Sequence, residues 1–542
     1  MRAVLPRATD WSAARRDPRA DLLAGLTVAM VALPLALAFG AASGLGARAG
    51  LVTAIVAGAI AAVFGGSNLQ VSGPTGAMTV VLIPVVHRFG VDGVLTVGLL
   101  AGALLVASGL TGLGRATRYL PAPVIEGFTA GIAVVIVLQQ IPVVLGTTGY
   151  GDTAWRAALD AARGWAGHPH PWSVVTALAV AGLILVGVRV RPGLPVSLIV
   201  VAATTAVTSI LAVPVERLGS LPSTFTAPSL GFFHPHLVQQ LLPSALAVAA
   251  LGALESLLSA TVADGLRVGT QHDPDRELLG QGLANLVVPL FGGVAATGAI
   301  ARTAVNARAG ARSRLSALTH SVALAAVVLV AAPLVGRIPL AALAGVLVAT
   351  CIQMVEVGSL LAIARATRAD ALVLVSTLAI TVLTDLVTAV AVGVGIAVVL
   401  ALRAVSRSGR LDETPLDTSD HDADERELLD EHIVAYRFDG PLFFAAAHRF
   451  LLELTEVAYV RVVILRLSRV STLDATGAKV LGDAITRLER RGTLVLLSGI
   501  RADHDGILAR LGVAEHLRRE QLIFADTPAA IAHARAALAR AG

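Results

Sequence analysis

From residue 22 to residue 404 the chain is a succession of apolar runs of membrane-crossing length, and two of them are broken in the middle. A run of about 20 apolar residues spans the hydrocarbon layer as a helix, because no water is there to satisfy an open backbone. One break reads Phe64-Gly65-Gly66, then Gly73-Pro74-Thr75-Gly76-Ala77-Met78. The other reads Phe291-Gly292-Gly293, then Thr297-Gly298-Ala299-Ile300-Ala301-Arg302. Both carry Thr-Gly-Ala after Phe-Gly-Gly, at an offset of 222 residues (Thr75 to Thr297). Irregular backbone at membrane depth survives only where protein buries it or a cavity hydrates it. The two breaks are therefore where a function is expected.

The chain is 55% apolar and 15% charged, against about 45–50% and about 25% in soluble domains. A net charge of +5 would suit nucleic acid, but the arginines lie between apolar runs and not on one basic face, so they report membrane topology. Length and hydropathy predict an α-helical polytopic membrane protein of about fourteen spans: 22–43, 49–66, 71–88, 93–113, 122–145, 172–190, 194–213, 243–264, 278–293, 295–312, 315–335, 338–356, 370–384 and 386–404. Alternate loops concentrate arginine: Arg115 and Arg118, Arg189 and Arg191, Arg267 and Arg276, Arg308, Arg312 and Arg314, Arg365 and Arg368, then Arg403, Arg407 and Arg410. That places both termini in the cytoplasm. Residues 1–21, with Arg2, Arg7, Arg15, Arg16 and Arg19, read as a cytoplasmic lead-in rather than a cleaved signal. The single cysteine, Cys351, reads as a small residue packed in a span.

The offset lays span one over span eight and span three over span ten. Seven spans per copy is odd, so the second copy is inverted, and inverted repeats with matching interrupted helices point to a transporter's midplane site. Gly-Pro-Thr-Gly-Ala opens a helix more readily than it continues one, since proline suits a first turn. A half-helix that starts inside the membrane presents unpaired N–H groups and about half a positive charge. Two such ends make an anion site, and Arg302 adds a full charge within the first two turns. A charge at that depth costs about 2.5–3.5 kcal/mol on insertion scales. Arg308, Arg312 and Arg314 are expected to snorkel to the interface.

Glu255, among Leu254, Leu257 and Leu258, is the other intramembrane charge. Three readings stay open: an ion pair with Arg302, a carboxyl that carries a proton, or a cation ligand. Ser256 and Ser259 offer hydroxyls beside it or bond back to their own helix. Glu126 and Asp385 sit near span ends and read as interfacial. His168-Pro169-His170 and His234-Pro235-His236 read as loop histidines, with no third ligand to make a metal site. No metal or cofactor is expected, and no nucleophile–base pair suggests an enzyme.

Beyond span fourteen the composition changes. Residues 409–431 are acidic (Asp412, Glu413, Asp417, Asp420, Asp422, Asp424, Glu425) and read as a solvated linker. In 432–542, strands are predicted at Ile433–Phe438, Val460–Leu467, Leu494–Ser498 and Leu522–Ala525. Helices are predicted near 446–457, 475–491, 504–512 and 527–540, which together make a small α/β domain.

The run Gln70-Val71-Ser72-Gly73-Pro74-Thr75-Gly76-Ala77-Met78, the Pro34 span and Ala301-Arg302-Thr303 resemble the SulP group of anion transporters, the sulfate permeases. Ser471-Thr472-Leu473-Asp474-Ala475-Thr476-Gly477 resembles the STAS domain that follows the membrane part in that group. Gly-Ala-Leu-Glu-Ser-Leu-Leu at 252–258 and Ala-Thr-Gly-Ala-Ile-Ala-Arg at 296–302 resemble most a bacterial branch that takes up four-carbon dicarboxylates. The resemblance implies a seven-plus-seven inverted repeat, with a core of spans one to four and eight to eleven moving like an elevator against a gate of the rest, usually in a homodimer. It places Pro34 to Phe39, Thr75, Gly76, Ala77, Glu255 and Thr297, Gly298, Ala299 to Arg302 around the substrate. Many members have glutamine where this chain has Leu35. Sodium-dependent bicarbonate members carry aspartate at the Glu255 position and no arginine at the Arg302 position. A fixed positive charge opposes a sodium site, which favours proton symport or anion exchange. Thr476 holds the position phosphorylated in related anti-sigma-factor antagonists, and otherwise reads as a helix N-cap.

The expectation is a secondary active transporter of sulfate, dicarboxylate or bicarbonate in the cytoplasmic membrane, with a possible cytoplasmic partner for the STAS domain. The rivals are a nucleobase–cation symporter of the same repeat plan and a non-transporting scaffold or sensor that presents the STAS domain.

Overall fold

A computed structural model describes residues 8–11, 14, 18–115, 121–149, 153–191, 194–219, 227–266, 271–384, 386–408, 410–414, 433–442, 460–513 and 515–541. Arg118, Arg267, Asp385, the predicted helix at 446–457 and most of the acidic linker lie outside these residues, as do Arg2, Arg7, Arg15 and Arg16. The chain divides into two compact units, Met1–Gly395 and Ile396–Gly542.

The first unit is helical. Its opening helices are α1 (Pro18–Ala42) and α2 (Ala47–Phe64), followed by the two-residue strand β1 (Ser72–Gly73) and α3 (Gly76–Thr111). Next come α4 (Ala122–Leu145), α5 (Ala154–Gly167), α6 (Pro171–Val190), α7 (Val196–Ile210), α8 (Val238–Leu266) and α9 (Pro274–Val287). After strand β2 (Thr297–Gly298) come α10 (Ile300–Arg308), α11 (Leu315–Val335), α12 (Leu340–Met354), α13 (Val357–Ala366), α14 (Arg368–Leu383) and α15 (Leu386–Ser408). Each of the fourteen predicted spans contains helix, though spans 71–88 and 295–312 begin outside it, at the strands β1 and β2. Among the described residues, eight helical stretches are long and apolar enough to cross a membrane by themselves. The number is lower than fourteen because several predicted spans are short helices or half-helices, and spans three and four run on as α3. They part at Gly90, whose φ of 67° and ψ of −164° end one helix and start the next, a conformation that glycine adopts without strain. Large apolar side chains such as Val330, Leu178 and Leu334 are exposed, as lipid-facing positions require.

Close helix contact is made by small residues. The backbones of α3 and α9 touch where Gly102 faces Asn285 and Leu286 and where Gly282 faces Val106. A β-carbon at Gly102 would sit 2.6 Å from the Leu286 nitrogen. Between membrane helices such packing replaces the hydrophobic driving force, which lipid does not provide. Helix α9 thereby lies against α2 and α3, while α11 lies against α1 and α2.

Two features of this unit depart from the sequence reading. The region 146–171 contains α5, an amphipathic helix that buries Ala158 and Ala161 and exposes Trp155 and Leu159; its 14 residues are too few and too polar to register as a span. Arg314 does not snorkel. It is buried, and its guanidinium donates to Asn68 Oδ1 (2.9 Å) and to the carbonyls of Ala62 and Val63 at the end of α2. A cation at a helix C-terminus meets the negative end of the dipole. Arg308 and Arg312 are exposed, as expected.

The second unit holds a five-stranded sheet of β3 (Arg410–Thr414), β4 (Ile433–Leu442), β5 (Val462–Leu473), β6 (Leu494–Ser498) and β7 (Ile523–Phe524), in that spatial order. Strands β4 to β7 are parallel, joined in part through α16 (Ala475–Arg490), α17 (Ala502–Arg510) and α18 (Glu515–Arg519), and α19 (Thr527–Ala541) closes the chain. Val463, Ile464 and Leu465 of the central strand are fully buried, the continuous apolar run that a covered parallel sheet needs. Strand β3 corrects the reading of residues 410–414 as linker: they pair antiparallel with β4, Leu411 opposite Phe438. Thr476 is not the helix cap. Asp474 is, accepting from the Gly477 N–H at 2.7 Å, and Thr476 sits exposed one residue inside α16.

Candidate functional site

The two breaks meet. Strand β1 pairs antiparallel with β2, Ser72 opposite Gly298 and Gly73 opposite Thr297, and the Ala299 N–H extends the pairing to the Val71 carbonyl. Helices α3 and α10 therefore start beside each other and run off in opposite directions. Their N-caps are Thr75 and Ala299, both extended, and neither helix has a side-chain cap on its first N–H groups. The structural offset between the caps is thus 224 residues (Thr75 to Ala299), two more than the Thr-Gly-Ala match. Thr297, instead of opening a helix like Thr75, lies in the strand.

Arg302 is buried, and one Nη of its guanidinium donates to the Pro74 carbonyl at the threshold of α3. Its other Nη has no hydrogen-bond partner among the described residues and lies where a β-carbon on Gly73 would come within 2.5 Å. Glu255, on α8, is partly exposed and accepts from the Thr75 hydroxyl at 2.8 Å. Among the described residues no ion pair joins Glu255 to Arg302, so the two charges share the site without neutralising each other by contact. Ser256 and Ser259 do not bond back along α8. The Ser256 hydroxyl meets the Thr297 hydroxyl (3.1 Å) and accepts from the Gly298 N–H (3.0 Å), and Ser259 donates to Thr303 Oγ1 (2.9 Å). They bind α8 to the second break. On the far side, Phe39 of α1 sits against Gly76, where a β-carbon would lie 3.2 Å from its ring. Ala77, Thr297, Gly298 and Ala299 are buried in this crossing, and Pro34 is buried in α1 five residues before Phe39.

Residues that sequence reasoning did not single out hold the crossing in place. Glu277, Gln281 and Asn285 are buried and follow one another at four-residue spacing on one face of α9. Glu277 Oε2 accepts from the N–H groups of Gly66 (2.8 Å) and Ser67 (3.0 Å), and Oε1 from the side-chain amides of Gln70 and Gln281 (both 2.9 Å). Gln281 also donates to Ser72 Oγ, and Asn285 makes a reciprocal pair with the Ala296 backbone. One helix face thus fixes the approach to β1 and to β2, satisfying backbone groups that neither strand nor helix pairs. The visible signal was a Glu-x3-Gln-x3-Asn stripe that starts one residue before the predicted span 278–293.

A cavity of about 880 Å³ opens between α1, α3, α4 and α8. Ala38 and Val80 line it, next to Phe39 and one turn beyond Gly76, and its described lining includes His87 and Arg88 but no carboxylate. Thr75, Glu255 and Arg302 lie outside the lining. The two His-Pro-His loops do not converge: His168 and His170 flank the junction of α5 and α6, while His234 faces Asp92 at 3.3 Å. Among the described residues no group of three or more metal-ligating side chains is found. Cys351 is buried in α12.

The geometry at Gly73 yields a direct test. Gly73→Ala should drive the guanidinium from its place and weaken anion uptake about tenfold or more, the loss of one charge-assisted hydrogen bond. Uptake by the variant in proteoliposomes at several anion concentrations checks this; an unaltered half-saturation would mean that Arg302 is not held there.

The sulfate permease family model matches residues 19–377, and the STAS domain model residues 429–530. A putative sulfate transporter of Bacillus subtilis, YvdB, is 34% identical over 519 residues, covering 92% of this chain and 95% of that protein. The bicarbonate transporter BicA of a Picosynechococcus is 32% identical over 491 residues, 87% of this chain and 86% of its own. The solved transmembrane domain of a cyanobacterial BicA superposes with a TM-score of 0.64 at 34% identity, covering 69% of this chain and 98% of that one. SLC26A9 shares the fold over 98% of this chain and 93% of its own, with a TM-score of 0.83 at 18% identity. The relatives are transporters, not enzymes, and this chain, with its paired half-helices and its STAS domain, belongs to the sulfate permease family of multi-pass anion transporters.

Proposed function

We propose that the protein carries a small oxyanion or dicarboxylate across the cytoplasmic membrane by secondary active transport, binding it between the N-termini of α3 and α10. The observation that carries this reading is the buried Arg302 beside two uncapped helix starts. Three positive elements at one point favour an anion, and the substrate displaces no side-chain cap to reach the N–H groups. Sulfate and bicarbonate are suggested by the names of the relatives, and a four-carbon dicarboxylate by the 252–258 and 296–302 runs. A scaffold that only presents the STAS domain has no use for a buried charge at a broken span. A nucleobase site has no need of a permanent cation.

Coupling is assigned to Glu255, which reaches the site through Thr75 and has no ion-pair partner among the described residues. A carboxyl placed there takes up a proton as the anion binds, and the pair crosses together. Sodium is disfavoured by the nearby guanidinium. The core moves against the gate in the manner of an elevator, both termini face the cytoplasm, and the protein acts as a homodimer. The STAS domain, with Thr476 exposed at the start of α16, is the candidate surface for a regulatory modification or a cytoplasmic partner.

The test is uptake of sulfate, bicarbonate, succinate and uracil into proteoliposomes, each with and without an imposed proton or sodium gradient. Anion accumulation driven by the proton gradient supports the reading; uracil uptake, or no uptake of any anion, overturns it. Glu255→Gln should lose accumulation driven by the proton gradient and keep substrate counterflow. Full gradient-driven accumulation in that variant would exclude Glu255 from coupling.

A further inference from the structure

We infer that His320 is a positioning residue for Arg302, holding the guanidinium from the α2 side through a buried water. The inference rests on the reading of Arg302 as the anion's ligand. His320 lies on α11, is fully buried, and has no hydrogen-bond partner among the described residues at either ring nitrogen. Arg302 is equally enclosed and has one Nη without a partner. A buried polar group left unpaired costs about 1–3 kcal/mol, so two such groups in one helix cluster call for a common explanation.

Their placement supplies it. Both look onto neighbouring turns of one face of α2. At Gly73, a β-carbon would lie 2.5 Å from the unpaired Nη of Arg302 and 3.3 Å from the Ala54 Cα. At Gly58, one turn along α2 from Ala54, a β-carbon would lie 3.6 Å from His320 Nδ1, 3.4 Å from the Ser72 carbonyl and 2.5 Å from Ser321 Oγ. Ser72 and Gly73 are the two residues of β1. The unpaired cation therefore lies at Gly73, and the unpaired imidazole lies at Gly58 near the carbonyl of Ser72, the residue before Gly73 in β1.

The chemistry is complementary. Arg302 has an N–H to donate, an imidazole nitrogen has a lone pair to offer, and the Ser72 carbonyl is a second acceptor. A buried water needs two to four polar partners, and these three provide them. Gly58 is what leaves the room: a side chain there would occupy the space that the water and the ring share. With the Pro74 carbonyl on one Nη and the water-linked histidine on the other, the guanidinium plane is fixed, so its remaining N–H groups face the substrate without an ordering cost at binding.

The experiment compares His320→Leu and His320→Gln with Arg302→Ala, using whichever of sulfate, bicarbonate and succinate the parent protein accumulates in proteoliposomes. His320→Leu should raise KM about tenfold, the worth of one charge-assisted hydrogen bond, with the maximal rate changed much less. Its conservative counterpart His320→Gln, which keeps an acceptor, should restore KM to within about threefold of the parent. An unchanged KM in His320→Leu overturns the inference while leaving Arg302 as ligand; uptake that survives Arg302→Ala overturns the reading beneath it. Should His320→Leu not reconstitute as folded protein, the ring-nitrogen resonances of 15N-histidine-labelled protein decide. They should shift for His320 between the parent and Arg302→Lys, and an unshifted ring would overturn the link.

Discussion

Replacing Arg302 with alanine should abolish anion uptake into proteoliposomes while the purified protein remains folded. The guanidinium is buried, donates to the Pro74 carbonyl and lies against Gly73, so its removal takes the one full positive charge from between the two helix starts. A hydrogen bond to a charged group contributes about 1.5–3 kcal/mol, and the charge also acts through space at low dielectric. A fall of at least about a hundredfold in uptake at low anion concentration follows. Folding should suffer little, because burying an arginine is costly and its loss relieves that cost. Arg302→Lys keeps the charge but not the planar fork, and should recover part of the uptake with a weaker affinity. Unchanged uptake in Arg302→Ala would remove this residue from the site.

Glu277→Ala should act in the opposite manner, through stability. The carboxylate accepts four hydrogen bonds, two from the backbone of Gly66 and Ser67 and two from Gln70 and Gln281. Truncation removes the acceptor of all four, and of these donors Gln281 keeps a second partner in Ser72 Oγ; breaking a buried charge-linked network costs about 3–5 kcal/mol. In a thermal scan of the purified protein the midpoint should fall by about 10 °C, and uptake should fall with it as β1 loses its anchor. Glu277→Gln should be far milder. The buried amide oxygens of Gln70 and Gln281 have no partner among the described residues, so turning those amides lets them accept from the new one. A scan in which alanine and glutamine behave alike would show that shape, and not hydrogen bonding, holds the α9 face to the breaks.

Much of this architecture was legible in the residues. Hydropathy placed fourteen segments that each contain helix, since the bilayer leaves the backbone few alternatives. Phe-Gly-Gly and Gly-Pro-Thr-Gly located both breaks, because glycine and proline act locally. Ile433, Val462 and Leu494 marked the strands of the STAS domain by their continuous apolar runs. Glu255 and Arg302 stood out as charges amid leucine and alanine. Other features were not legible, either because they depend on partners 210 to 252 residues away or because two neighbouring residues compete for one role. Arg314 looks like any loop arginine until the end of α2 supplies carbonyls for it. Thr476 looks like a cap until Asp474 is seen to take that role two residues earlier. Glu277 is an unremarkable first-turn acid until Gly66 and Ser67 arrive at its carboxylate.

By itself, the sequence determined that the chain is membrane-embedded, where its helices break, and which charges lie near those breaks, because these follow from local propensity and the cost of placing polar groups in lipid. Only the tertiary structure decided that Ser72 pairs with Gly298, that Thr75 answers to Ala299 and not to Thr297, and that Glu255 meets Thr75 while Arg302 meets Pro74. Those are long-range hydrogen bonds, and in a low-dielectric interior each buried donor takes whichever acceptor the packed helices bring within reach.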